Sequence, residues 1–196
     1  LFERTPQPVC YNIEQYDCNG ERVTTPITLH EWVKPKACGS TPMYEALTLC
    51  KSLISDWCDN PHNRISTPPL IINISDGGCS DADNDDIIDI AKDIQEIGTL
   101  DGATLLVNIY LATEGNNDNR SIVFPSLEEY SSDDQEELLL YNISSTLPQE
   151  LEPILHKLTG YKRDGWCKCF ARNASICEIL AMADIGTEGC HGIKYR

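Results

Sequence analysis

The sequence predicts an α/β fold with a largely parallel central sheet and helices on both faces of the sheet. The main observation is that short apolar runs alternate along the chain with amphipathic helical patterns, at the spacing of βαβ units. The clearest run, residues 70–74, is rich in β-branched residues and suits a strand buried on both sides. The chain has 196 residues and no internal repeat or obvious linker, which predicts a single domain.

The other elements are expected in order along the chain. Residues 8–13 form an extended candidate, and residues 21–28 are either its hairpin partner or a connecting loop. A helix is expected from Pro42 to residue 58, with Thr41 as its N-cap. A second helix over residues 85–97 follows an acidic stretch that suits a helix N-terminus. Further strands and helices are expected at residues 104–111, 121–124, 133–143, 149–158 and 173–182.

The charge of the chain limits the class of partner. The formal net charge is -16, from 31 acidic and 15 basic residues. Such a chain repels a nucleic-acid backbone and an anionic membrane surface, so cations or a basic protein surface are the expected partners. No apolar run approaches the roughly 18 residues needed to span a bilayer, and no signal peptide opens the sequence, which predicts a cytoplasmic location.

Ten cysteines are many for such a location. Reduced thiols are expected, because a chain of this length builds a core without disulfides. One alternative is a zinc-stabilised C-terminal lobe around Cys167, Cys169, Cys190 and His191, although neither C-x2-C nor H-x3-H spacing is present.

Asp76 is the first candidate for a functional residue. It follows a buried strand, and open α/β sheets bind ligands at the carboxyl ends of their strands. The alternative is that Asp76 only caps the turn made by Gly77. Thr41 is a second oxygen ligand, since its hydroxyl at the start of a helix can project toward the strand ends. A carboxylate, a hydroxyl and waters suit Mg2+, but two protein ligands are too few to hold the ion tightly.

A calcium loop is excluded by spacing. Asp81, Asp83 and Asp85 alternate as they do at the start of an EF-hand loop. The sixth and twelfth positions of such a loop require Gly and Glu, and Asp86 and Lys92 stand there instead. The cluster is therefore expected to be a helix N-terminus.

At these residues the sequence resembles the von Willebrand factor A (VWA) domain. Residues 39–47, GSTPMYEAL, are similar to the threonine loop and following helix of that family, and residues 71–77, IINISDG, to its strand ending in Asp-Gly. Segments at residues 99–108, 122–125, 173–174 and 185–187 resemble a bacterial branch, whose members are often encoded beside a protein phosphatase and a Ser/Thr kinase in tellurite-resistance-like or signalling cassettes. The resemblance covers residues 38–187 of the single domain 1–196 and leaves residues 1–37 as a divergent or truncated part.

The resemblance implies a Rossmann-like fold with a mostly parallel sheet and a metal-ion-dependent adhesion site (MIDAS) at the strand ends. Thr41 and Asp76 fall on two of its three ligand-bearing segments, and Gly39, Ser40 and Gly77 are neighbouring ligand-binding residues. The implied cofactor is Mg2+, or Mn2+ or Ca2+, conditional on an intact site. The implied partner is a protein whose acidic residue completes the coordination of the cation.

The third segment of the family site, an Asp-x-Ser-x-Ser loop after the first strand, is absent from this sequence. Before Thr41 the chain offers only Tyr16-Asp17-Cys18-Asn19, which has no serine at the required spacing. The expectation is that the missing strand and helix were removed, since the chain also opens without Met. The alternatives are that another chain supplies them or that a divergent N-terminal segment replaces them.

The leading hypothesis is therefore a protein-interaction module of VWA type, divalent-cation-dependent if the missing loop is supplied. One alternative is a scaffold that binds partners without metal. Another is a metal-assisted phosphoesterase using Asp76, which needs a nucleophile or general base beside the metal. The four histidines show no paired spacing, and no Gly-x-Ser-x-Gly or phosphate-loop motif occurs, so the sequence favours a protein that is not an enzyme.

Overall fold

The computed structural model of the chain describes residues 6–16, 22–31, 39–112, 120–127, 130–160 and 165–192. The chain divides into two compact units, Leu1–Gly39 and Ser40–Arg196. In the first unit β1 (Gln7–Tyr16) pairs antiparallel with β2 (Arg22–Glu31). The extended candidate is thus a longer strand, and the hairpin alternative for its neighbour is the one observed. Residues 17–21, between these two strands, lie outside the described residues.

The second unit contains the remaining described elements. Its helices are α1 (Met43–Asp59), α2 (Asn84–Glu96), α3 (Gln135–Ile143), α4 (Glu152–Thr159) and α5 (Ile176–Gly192), with a 3-10 turn (Gln149–Leu151) before α4. Its strands are β3 (Leu70–Ser75), β4 (Gly98–Thr99), β5 (Gly102–Ala103), β6 (Leu105–Tyr110), β7 (Ile122–Val123) and β8 (Phe170–Arg172).

The main sheet is mixed. Its strand order is β3-β6-β8-β7, in which β3 and β8 run parallel to β6 and β7 runs antiparallel to β8. The other two sheets, β1-β2 and β4-β5, are small and antiparallel. The prediction of a mostly parallel, Rossmann-like sheet is therefore wrong. Its physical basis was the alternation of helices and strands, which does not specify the direction of short edge strands such as β7.

The core lies on both sides of β6, because successive side chains of a strand point to opposite faces. Leu106 and Tyr110 pack in a cluster with buried residues of α1, α2 and α3. Val107 and Ile109 pack in a second cluster, with buried residues of α4 and α5. Helices therefore cover β6 from both sides, and the carboxyl ends of β3, β6 and β8 meet the first residues of α1 and α3.

Within the described ranges, none of the helices has the length and apolar character that a bilayer crossing requires.

Candidate functional site at the carboxyl end of β3

One loop brings the two predicted metal ligands to the same end of β3. Asp76 directly follows β3, and the segment from Asp76 to Asp81 (the 76–81 loop) runs from there past the start of α1. The backbone N–H of Ser80 donates to the carbonyl of Thr41 at 3.1 Å, and the N–H of Thr41 donates to Ser80 Oγ at 2.9 Å. Thr41 and Ser75 also line one groove. The region around Thr41 and Asp76 is therefore a single surface.

The side chains on this surface are open to solvent. Ser40, Thr41 and Asp76 are exposed. Gly39, the last residue of the first unit, has a φ of +82°. Asp76 Oδ1 accepts a hydrogen bond of 3.4 Å from the N–H of Gly78, which is the turn-capping contact that the sequence left as an alternative.

Among the described residues, no group of three or more His, Cys, Asp and Glu side chains could hold a metal ion. The two predicted metal ligands supply one hydroxyl and one carboxylate, from Thr41 and Asp76. Because Mg2+ and Ca2+ are held by about six or more oxygens, these two ligands require additional ones from water or from a partner.

The N-cap of α1 differs from the prediction. The helix begins at Met43, and no side chain from its own start caps it. Instead the carboxylate of Asp81 accepts hydrogen bonds from the N–H groups of Tyr44, at 3.1 Å, and Glu45, at 2.9 Å. The prediction of Thr41 as N-cap is therefore wrong, because a residue distant in sequence satisfies the first N–H groups of the helix.

The electrostatics of Asp81 agree with this capping role. Desolvation acts to raise the pKa of its carboxyl, but hydrogen bonds from the Glu45 N–H, the Cys79 thiol and the Tyr44 N–H outweigh it and lower the pKa. The acidic stretch thus divides between two helices. Asp81 caps α1, and Asp83 caps α2 by accepting from the N–H of Asp86 at 3.1 Å.

The 76–81 loop also packs against α3. Gly77 is buried and has a φ of +88°, a conformation that side-chain-bearing residues rarely adopt. A Cβ added to Gly77 would lie 2.6 Å from Glu136 Cβ. Glycine is therefore required here for two reasons, its backbone conformation and the close approach of α3. The loop is fixed at its Asp81 end by α1 and near its other end, at Gly77, by α3.

A buried polar cluster lies beside this loop, at the ends of β6 and β8. Glu137 in the first turn of α3 is 1% exposed, and Arg172 at the end of β8 is 6% exposed. Arg172 Nε lies 3.7 Å from Glu137 Oε1. Glu137 also accepts hydrogen bonds from the hydroxyls of Tyr130 and Ser132, the latter at 2.8 Å. Sequence reasoning missed this cluster, since each charged residue looks like part of a solvated surface.

A second hydrogen bond of the cluster fixes the N-cap of α3. Tyr110, the last residue of β6, donates its hydroxyl to Asp134 Oδ2 at 2.7 Å, while Asp134 Oδ1 accepts from the N–H groups of Glu136 and Glu137. Burial, followed by the hydrogen bond to Asp134, raises the pKa of Tyr110. The phenol therefore stays protonated at neutral pH, and the arrangement positions α3 on the sheet.

The Tyr110–Asp134 hydrogen bond predicts a specific acid sensitivity. It is the main cause that lowers the pKa of Asp134, with burial opposing it and the N–H groups of Glu137 and Glu136 adding to it. The unfolded chain thus binds more protons than the folded one as the pH falls below about 4, so stability is lost there. The free energy of unfolding in urea should fall more between pH 5 and pH 3 for the natural chain than for Asp134→Asn. Equal losses in the two proteins would contradict this role.

The structure describes the side chains of two of the four residues that the alternative zinc site requires. Cys167 and Cys169 are buried, and burial raises the pKa of the Cys169 thiol to about 12. The side chains of Cys190 and His191 lie outside the described residues. The cysteines with described side chains are all free thiols: Cys10, Cys50, Cys58, Cys79, Cys167, Cys169 and Cys177.

Comparison with known proteins adds no relative. No protein-family model, no curated protein and no solved structure matches the chain. The resemblance of residues 38–187 to VWA domains therefore stays a prediction.

Proposed function

We propose that the chain is a protein-interaction module that binds its partner at the carboxyl end of β3. The observation that carries this proposal is the 76–81 loop, which presents the exposed Asp76 carboxylate at the end of β3 and is hydrogen-bonded to Thr41 through Ser80. Contacts with α1 and α3 fix the loop, and binding residues are commonly found on loops that a rigid scaffold positions. In this proposal the surface binds its partner and does not turn over a substrate.

A divalent cation strengthens this binding when further oxygen ligands are supplied. Thr41 and Asp76 provide the hydroxyl and the carboxylate, with Mg2+ as the first candidate and Mn2+ or Ca2+ as the others. An acidic residue of the partner contributes another ligand. The resemblance of residues 39–47 and 71–77 to the VWA site supports this part of the proposal.

The proposed cation site predicts that a divalent cation binds the chain without its partner weakly and at one place. Paramagnetic Mn2+ at millimolar concentration should broaden the amide NMR signals of residues 76–80 before others, because Asp76 is an exposed carboxylate, whereas both carboxylate oxygens of Asp81 accept hydrogen bonds from α1. Asp76→Ala should abolish this selectivity. The matched control is Asp85→Ala, which removes an exposed acid from the first turn of α2 and should leave the pattern unchanged. Broadening that is centred on α2, or that survives in Asp76→Ala, would contradict the cation site.

A metal-independent scaffold is the second candidate function. It is favoured by the contact of Asp76 Oδ1 with the Gly78 N–H, which gives the carboxylate a turn-capping role without any ion. The two candidates differ in their response to a chelator. Partner binding that persists unchanged in EDTA would support the scaffold and exclude the cation-dependent module.

A further inference from the structure

The strand β3 forms an open edge of the main sheet. On one side β3 pairs with β6, and no strand pairs with its other side in the part of the chain that the structure describes. The bonds to β6 are made by alternate residues. Leu105 N–H donates to the carbonyl of Pro69 at 3.1 Å, and Leu111 N–H donates to that of Ser75 at 2.9 Å.

The intervening residues of β3 point their backbone groups outward. Along a parallel ladder, the N–H and C=O groups of successive residues face alternate sides. The backbone groups of Leu70, Ile72 and Ile74 therefore face the open edge. Edge strands usually carry charges, prolines or bulges that prevent further pairing, and the six residues of β3 contain no charge and no proline.

A groove runs along this edge between β3 and α1. Its volume is about 350 Å³, and its lining includes Ala46, Leu47 and Cys50 of α1 together with residues 71–75 of β3. Ile74 is 50% exposed beside it. The groove thus combines a mostly apolar lining with a row of outward-facing backbone donors and acceptors.

An exposed apolar stripe on α1 continues the groove. Leu49, Leu53 and Trp57 are 61%, 54% and 39% exposed, and their spacing of four residues places them on one face of the helix. The groove-lining Ala46 and Cys50 lie three residues before Leu49 and Leu53, so they are on adjacent rows of that face. Groove and stripe therefore form one continuous apolar surface.

The charge beside this surface is negative. Glu45 lies four residues before Leu49, and Asp56 lies three residues after Leu53, so both acids border the stripe. Both are exposed, and the chain carries a formal net charge of -16. A second copy of this chain would bring the same negative charge, whereas a basic partner complements it.

We propose that the β3 edge binds an extended segment of a basic partner protein. The segment adds a strand to β3, places apolar side chains against the groove and the α1 stripe, and carries Lys or Arg at its ends. In such strand addition, backbone hydrogen bonds provide affinity and side-chain contacts provide selectivity. The proposal rests on the proposed function as a protein-interaction module, and it requires no cation.

The test measures binding of a fluorescein-labelled peptide, Lys-Lys-Val-Thr-Val-Ile-Val-Lys-Lys, by fluorescence anisotropy. The first variant is Ile74→Pro, which removes one outward N–H without removing a hydrogen bond to β6. Its matched control, Ile74→Ala, loses the side chain and keeps the N–H. We expect Ile74→Pro to weaken binding on the order of tenfold relative to Ile74→Ala, since an edge hydrogen bond and the fit of the added strand are lost.

A second variant avoids any change to the strand. Leu53→Lys places a positive charge within the exposed stripe of α1 and should weaken binding of the basic peptide, with an unchanged thermal melt. A peptide with Glu in place of its four Lys residues should bind less tightly than the Lys form. EDTA should leave binding of the Lys form unchanged.

Several results would overturn the proposal. These are equal binding by folded Ile74→Pro and Ile74→Ala, equal binding of the Glu and Lys peptides, or no effect of Leu53→Lys. Sedimentation of the chain as a dimer that Ile74→Pro dissociates would also overturn it, by assigning the edge to a second copy.

The Mn2+ experiment tests the cation site independently of the peptide experiment. If Mn2+ does not broaden the signals of residues 76–80 selectively but the peptide binds, only the cation site is contradicted. If the selective broadening is seen but the peptide does not bind, only strand addition is contradicted.

Discussion

Replacement of Gly77 by alanine is expected to lower the free energy of unfolding by about 3 kcal/mol. About 1–2 kcal/mol comes from placing a side-chain-bearing residue at a left-handed φ of +88°. A further contribution of about 1–3 kcal/mol comes from overpacking, because the new Cβ would lie 2.6 Å from Glu136 Cβ and 3.1 Å from the Glu136 backbone carbon. Urea denaturation followed by circular dichroism measures the change.

Gly160→Ala is the matched control for this substitution. Gly160 follows α4 with a φ of +72°, and an added Cβ would meet no atom of the described residues within 4 Å. It should therefore show only the conformational contribution of about 1–2 kcal/mol. Equal destabilisation by the two substitutions would contradict the close packing of the 76–81 loop on α3.

Glu137→Leu is expected to destabilise the fold by about 3–5 kcal/mol, since it leaves the Arg172 guanidinium buried without its carboxylate. The two side chains are 1% and 8% exposed, and their charged atoms lie 3.7 Å apart. The hydroxyls of Tyr130 and Ser132 lose their acceptor in the same variant. The measurement is again the free energy of unfolding in urea.

Two further variants separate the ion pair from a general effect of substitution in α3. Glu136→Leu changes the neighbouring exposed acid and should alter stability by less than about 1 kcal/mol. The double variant Glu137→Leu with Arg172→Leu removes both charges and should be more stable than Glu137→Leu alone. Arg172→Leu alone completes the cycle, and a double variant whose loss equals the sum of the losses in Glu137→Leu and Arg172→Leu would show that the pair does not interact.

Much of the local structure could be predicted from the sequence. Apolar runs located β3 and β6, and helical periodicity located α1, α2 and α3 close to their observed bounds. The strand β8 has only three residues, which is too short for a periodic signal. Strand direction depends on contacts between distant segments, so the antiparallel pairing of β7 with β8 was not predictable from alternation.

The places of Asp76 and Thr41 in the fold were predictable, and their contacts only partly. The strand-ending pattern located Asp76, and the glycine before a helix start located Thr41. The role of Asp81 as the cap of α1 depends on a hydrogen bond between residues far apart in sequence, for which a single sequence carries no signal. The same reason explains why Glu137 and Arg172 were missed, since their burial follows from packing of α3 on the sheet.

The 76–81 loop has a consequence for how the two proposed surfaces respond to each other. Asp81 holds the first turn of α1, Gly77 contacts α3, and the exposed Asp76 lies between these segments and β3. A ligand that displaces Asp81 would remove the cap of α1, and the start of α1 forms one wall of the groove along β3. Occupancy of the two surfaces is then thermodynamically linked, and the linkage is reciprocal: whatever factor one ligand applies to the affinity of the second, the second applies to the first.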